Sequence, residues 1–241
     1  MTERRGDVSS QDGWEAYFDR LPPDPPLYRE GVELYVARLQ AAVGVAPGAR
    51  VLDFGCGFGY ASELLAAAGA SVRFWDLSSH MRRVAEERTA AHPTAAPTDV
   101  TPALRGRTVD GAPFDRIVVN SVVQYMTDAE LDGWLAAWRD LLAPGGKVVL
   151  SDLIDPDRGG LRDLADLLWF GVRHGAPVQA VTSAFGSVTA YWRTRRAAPL
   201  LQLRPAELGA RAARAGLRST ALDGNLTHFS QRWTAVLERA A

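Results

Sequence analysis

With 241 residues the chain is long enough for one large α/β domain with a full core. Its formal net charge of −1 leaves no global electrostatic case for a nucleic-acid partner, and no apolar run approaches the roughly 18 residues of a membrane span. Cys56 is the only cysteine, which excludes an intrachain disulfide and fits a reducing cytoplasm, and the polar opening Thr2 to Asp12 is unlike a secretory signal.

In chain order, residues 1–12 read as a tail. Trp14, Tyr17 and Phe18 then sit at helical spacing until Leu21-Pro22-Pro23-Asp24-Pro25-Pro26 breaks the pattern. Tyr28 to Val43 reads as a helix, Pro47-Gly48 punctuates, and Arg50 to Phe54 reads as a buried strand. Gly55-x-Gly57-x-Gly59 follows and opens a helix with Ala61, Leu64, Leu65 and Ala68 on one face and Gly69 as its stop. Strand, glycine turn and helix form the layout of a nucleotide-type cofactor loop, in which glycines let a ligand approach the backbone. The dinucleotide fingerprint G-x-G-x-x-G fails, because its last glycine position holds Tyr60. Asp53, just before the turn, repels a pyrophosphate and attracts an ammonium group.

The second strand, Ser71 to Trp75, closes at Asp76, about 20 residues past the first glycine, where a carboxylate can accept both hydroxyls of a ribose. Ser78 or Ser79 caps the next helix, which carries Met81, Val84 and Ala85. His92 to Gly111 has no strong period, and a weak third strand ends at Asp99-Val100. Phe114 to Asn120 is a β-branched strand continued by Ser121-Val122-Val123-Gln124-Tyr125-Met126. Thr127-Asp128-Ala129-Glu130 is a capping box, and the stripe Leu131, Trp134, Leu135, Trp138, Leu141, Leu142 is a core face. Ala143-Pro144-Gly145-Gly146 ends that helix before a fifth strand, Lys147 to Leu150. Residues 159–200 form an insertion, with one helix through Leu161, Leu164, Ala165, Leu168 and Val172 and another within Phe185 to Arg196, where Tyr191 and Trp192 stand. Arg204-Pro205 starts a last helix that Gly216 stops, and Thr220 to Leu226 with Arg232 to Leu237 make a closing hairpin.

Asp53-x-Gly55-x-Gly57-x-Gly59 after an apolar strand resembles motif I of the class I S-adenosylmethionine-dependent methyltransferases. Asp76-Leu77-Ser78-x-x-Met81, the strand Phe114 to Asn120, the run Leu141-Leu142-x-Pro144-Gly145-Gly146-x-Val148-Val149-Leu150 and the tail Phe229 to Thr234 are similar to that family in the same order. The resemblance covers about Trp14 to Arg158 plus the tail. It implies a Rossmann-like doubly wound sheet of seven strands, mostly parallel with an antiparallel C-terminal strand, in one domain. Residues 1–46 would be tail and helical cap, 47–158 the cofactor core, 159–200 a substrate wall and 201–241 the last helix and strands. The implied cofactor is S-adenosyl-L-methionine. Asp53 would hold its ammonium, with Gly55, Cys56 and Gly57 in close backbone approach and Asp76 on the ribose. Leu77 and Met81 would flank adenine, Met81 being equally readable as plain core. Asp99 with Val100 would meet the adenine amino group, with Asp110 as competitor. Asn120 and Ser121 would hold the methionine end. Tyr17 and Tyr28 are either lid aromatics on the cofactor or packing residues. The absence of Asn/Asp-Pro-Pro-Tyr argues against methylation of nucleobase and glutamine amino groups.

The implied reaction is methyl transfer to an O, N or C atom of a small molecule in natural-product biosynthesis. It needs chiefly alignment, so no catalytic triad has to appear. A hydroxyl acceptor also needs a base, for which His174 and His228 are candidates, with Tyr125 better suited to orienting the substrate. Residues 158–218 hold ten arginines against three acids, a segment net of +7 that suits an anionic substrate or an acidic carrier. The alternative is a solvated face in a chain where Lys147 is the single lysine. A homodimer stays open. Two rivals are a non-methylating protein on the same fold, which binds the cofactor structurally or catalyses a cyclisation, and a nicotinamide dehydrogenase, which Asp53 and Tyr60 disfavour.

Overall fold

The computed structural model describes residues 18–19, 27–158, 161–175 and 200–240. Trp14, Tyr17, Tyr191, Trp192 and the expected helix within Phe185 to Arg196 lie outside them. Seven strands form one sheet: β1 (Arg50–Phe54), β2 (Ser71–Trp75), β3 (Ala95–Pro97), β4 (Phe114–Asn120), β5 (Leu142–Leu153), β6 (Leu217–Ala221) and β7 (Trp233–Arg239). Their order is β3-β2-β1-β4-β5-β7-β6, and β7 runs antiparallel to both of its neighbours. The order reverses between β1 and β4, and the carboxyl ends of those strands are where such a sheet offers its ligand cleft.

Helices α1 (Tyr28–Val43) and α2 (Tyr60–Ala67) cover one face. Tyr35, Leu39 and Leu65 pack there on Val51, Val72, Val118 and Val149. The other face is covered by α4 (Asp128–Leu141) and α6 (Pro205–Arg214), with Trp134, Trp138, Leu208 and Ala212 on Leu52, Phe54, Ile117 and Leu150. Between them in sequence lie α3 (Ser79–Thr89), beside α2, and α5 (Leu161–Arg173), the first inserted helix. The stripe read on α4 is core: Phe54 meets Trp134 and Trp138 edge-on with centroids 4.6 and 5.2 Å away. The Thr127–Glu130 capping box and the Ser78 cap, which accepts from the Met81 amide, both form as the sequence indicates.

Three boundaries differ from the sequence reading. β5 starts directly at Leu142, so Ala143 to Gly146 is strand rather than a turn before it. A Cβ on Gly146 would stand 2.8 Å from the Phe114 carbonyl oxygen, so only glycine lets β5 come this close to β4. The third strand is only Ala95–Pro97 and ends short of Asp99, whose side chain turns the chain into a short 3-10 helix at Thr101–Arg105. The closing hairpin pairs Leu217–Ala221 with Trp233–Arg239 across a long loop. Leu226, read as strand, is buried in that loop against the α1 face, and burial without pairing produced the misreading.

Candidate functional site

At the carboxyl end of β1 the Gly55 and Cys56 amides both donate to the Trp75 carbonyl, at 2.7 and 3.0 Å, which fixes the glycine turn to the end of β2. The Gly57 amide donates to Asp76 Oδ2 at 2.9 Å, and the Ser78 amide to Asp76 Oδ1 at 2.9 Å. Gly57 has φ +55, and a Cβ there would stand 2.6 Å from the Tyr28 hydroxyl, so α1 closes directly over the bare backbone. Asp53 is buried and accepts from Ser62 Oγ at 2.6 Å. Burial pushes its carboxyl up to about 6; the Ser62 hydrogen bond pulls the other way and the Asp76 charge adds to the rise. Burial also raises Asp76, and the same effect holds the Cys56 thiol well up.

These residues fit the cofactor expected from the sequence. Two buried carboxylates stand at neighbouring strand ends, Asp53 held by Ser62 and Asp76 by the Gly57 and Ser78 amides, and their oxygens keep lone pairs for further donors. An ammonium group and ribose hydroxyls supply the charge and the donors that such a pair lacks.

The other expected contacts are distributed unevenly. Leu77 is half-buried, and its carbonyl accepts from Arg82 at 3.0 Å. Met81 is buried among Phe58, Tyr60 and Val84. Val100 is core beneath α4, whereas Asp99 is exposed and accepts from the Thr101 amide and hydroxyl at 2.9 and 2.7 Å. The competitor Asp110 is engaged by Arg73 at 2.7 Å. Asn120 carries a buried Oδ1 with no hydrogen-bond partner, as does Gln124 at Oε1. Phe18 meets Tyr125 edge-on at 5.1 Å, and Ser78 Oγ donates to Asp19, so the chain before α1 touches both sides of the cleft.

A second cluster was not legible in the sequence. Asp152, at φ +67, and Ser121, at φ +57, are left-handed non-glycine residues on adjacent strand ends, and Ser121 Oγ donates to Asp152 Oδ2 at 2.7 Å. Asp152 is buried and also accepts from Thr227 Oγ1 at 2.8 Å, Asn225 Nδ2 at 3.2 Å and Arg232 Nη1 at 2.6 Å. Arg232 reaches on to Asp163 of α5 at 2.9 Å, and Ser230 donates twice to Asp166 of the same helix. Burial opposes the charge on Arg232, and Asp152 and Asp163 more than restore it. The inserted helix is thus bolted to the loop before β7 by carboxylates. Only the tail motif around Arg232 hinted at this.

The proposed bases fare differently. His174 is exposed just after α5, with Nδ1 3.0 Å from the Phe170 carbonyl oxygen. His228 stacks on Phe170 and meets Phe229 at a tilt, with centroids 4.5 and 4.1 Å away, and both of its ring nitrogens are buried without a hydrogen-bond partner. Burial lowers its pKa below the ordinary 6.5, which favours the neutral ring. A phenylalanine would continue the stack without unsatisfied nitrogens. His228→Phe is therefore expected to raise unfolding stability by about 1 kcal/mol or more in a urea titration, and a loss instead would mean that the nitrogens have partners.

A sequence-family model described as a methyltransferase domain matches residues 52–148. An uncharacterized methyltransferase of Geobacillus kaustophilus is 31% identical over 150 residues, covering 62% of this chain and 67% of that one. The chain belongs to the S-adenosylmethionine-dependent methyltransferases. A ubiquinone biosynthesis O-methyltransferase of Xanthomonas axonopodis pv. citri is 31% identical over 140 residues, 57% of this chain and 56% of its own length, so the chain spans about half of that relative. In fold, the methyltransferase matches a magnesium protoporphyrin IX methyltransferase from Synechocystis PCC 6803 with bound S-adenosylmethionine, at TM-score 0.60 and 17% identity over 98% of this chain and 100% of that one. It is an enzyme of the class I fold, and its cofactor is S-adenosylmethionine.

Five of the ten arginines in the arginine-rich segment have acidic partners among the described residues. Arg158, Arg204, Arg211, Arg214 and Arg218 pair with Asp155, Asp157, Asp128, Asp132 and Glu238, all outside the segment whose charge was counted. Among the described residues no helix is long and apolar enough to cross a membrane, and no group of three or more His, Cys, Asp or Glu could hold a metal ion.

Proposed function

We propose that the methyltransferase moves the methyl group of S-adenosylmethionine to an O, N or C atom of a free small molecule, in natural-product biosynthesis in the cytoplasm. The observation that supports this reading is how the elements around the strand ends are held. The inserted helix α5 is tied by Asp163 and Asp166 to Arg232 and Ser230, and the chain at Phe18 lies on Tyr125. That construction favours a compact acceptor, and the five paired arginines weaken the charge argument for an acidic carrier. The small-molecule chemistry named for the Xanthomonas relative agrees with it. The sulfonium supplies an electrophilic methyl. The protein's part is to hold donor and acceptor aligned and to keep water out, which can supply several kcal/mol. The acceptor proton, where there is one, leaves to a base or to solvent; Tyr125 would orient the acceptor, and His174 and His228 stay candidates for the base.

The test is incubation of the protein with S-adenosylmethionine and a panel of hydroxyl, amine and activated-carbon metabolites, read by mass spectrometry. The expected result is one methylated product gaining a methylene, matched by an equal amount of S-adenosylhomocysteine. Cofactor that binds but is never converted across the panel would favour the non-methylating alternative.

A further inference from the structure

Tyr28, in the first turn of α1, places its hydroxyl against the α-carbon of Gly57, the residue whose amide is held by Asp76. Asp76 acts on that hydroxyl most strongly among nearby charges, and Asp53 acts on it too, so it stands in the field of both buried carboxylates. Burial, with these two charges added, keeps the phenol from ionising. The Tyr28 ring meets Phe58 at 5.5 Å and Tyr60 at 5.7 Å, both buried. The Phe58 amide donates to the hydroxyl oxygen, leaving it one lone pair, and Arg88 already covers the Tyr60 ring at 3.4 Å, so the Tyr28 oxygen and ring are what stand near both acids.

In S-adenosylmethionine the sulfur joins the ribose to the amino-acid chain. A cofactor with its ribose at Asp76 and its ammonium at Asp53 would carry its sulfur between them, near Gly57, which the Tyr28 hydroxyl faces. We propose that Tyr28 is a specificity-determining residue that reads the charge on this sulfur, favouring the sulfonium donor over the neutral thioether product. The hydroxyl lone pair and the ring faces attract a cation and gain nothing comparable from a thioether. The ribose and ammonium contacts are common to donor and product and cancel in the comparison. The inference rests on the cofactor assignment given above, and adds to it which residue separates substrate from product.

The test is calorimetric, on the full chain without any acceptor. Wild type, Tyr28→Phe and Tyr28→Leu are titrated with S-adenosylmethionine, S-adenosylhomocysteine and sinefungin, whose protonated amine stands at the place of the sulfur. Tyr28→Leu is expected to weaken the two cationic ligands about tenfold and S-adenosylhomocysteine less than twofold, with Tyr28→Phe between. Equal losses for all three ligands would mean that Tyr28 only shapes the pocket, and unchanged affinities would mean that it does not meet the sulfur; either overturns the proposal. A wild type that binds none of the three overturns the cofactor assignment, and the proposal with it.

Discussion

Asp152→Ala is expected to lower the unfolding free energy by about 3–5 kcal/mol, the range for breaking a buried ion pair by removing one partner. Asp152 has a side chain 2% exposed and accepts from four groups on three segments: Ser121, Asn225 and Thr227, and Arg232. Removing it leaves the Arg232 guanidinium, itself mostly covered, with Asp163 alone. Urea unfolding measures the loss, and hydrogen exchange should show faster exchange across α5, whose anchor runs through Arg232. Asp152→Asn separates charge from backbone, because asparagine tolerates the left-handed φ of +67 as well as aspartate does. A small loss for Ala, below about 1 kcal/mol, would mean that water replaces the carboxylate and that the cluster is not a buried hub.

Asp53→Ala should weaken S-adenosylmethionine by about 1.5–3 kcal/mol, the value of a hydrogen bond to a charged group, with the fold intact. The same residue sets a pH dependence. With the Asp53 carboxyl pushed up to about 6, cofactor affinity should hold above that pH and fall as pH drops through it, because the protonated acid no longer attracts an ammonium. Stability of the free protein has the opposite sign. A carboxyl raised in the folded state contributes stability that is fully present below its ordinary value near 4 and lost as pH rises through about 6. Bound cofactor should therefore raise the melting temperature more at pH 8 than at pH 5. Thermal shifts at the two pH values measure this, and an equal shift at both would mean that the ammonium is held elsewhere.

The sequence by itself determined the features that lie within a few residues of one another. The glycine turn after Asp53, the caps at Ser78 and Thr127, the tryptophan stripe of α4 and the acids closing β1 and β2 were all readable, because period, turn chemistry and capping act over one or two turns of chain. From those pieces, and their likeness to a family, the fold class and the cofactor followed. The tertiary structure alone decided what those residues touch. Ser62 reaches back to Asp53, Asp110 is taken by Arg73, and Gly146 is fixed by the Phe114 carbonyl across the sheet. Asp152 is the clearest case. Its partners Thr227 and Arg232 lie 75 and 80 residues away in sequence, and no local pattern ties a carboxylate at the end of one strand to an arginine before another. Such groups meet because β5 and β7 are antiparallel neighbours, which brings the exit of one strand beside the start of the other.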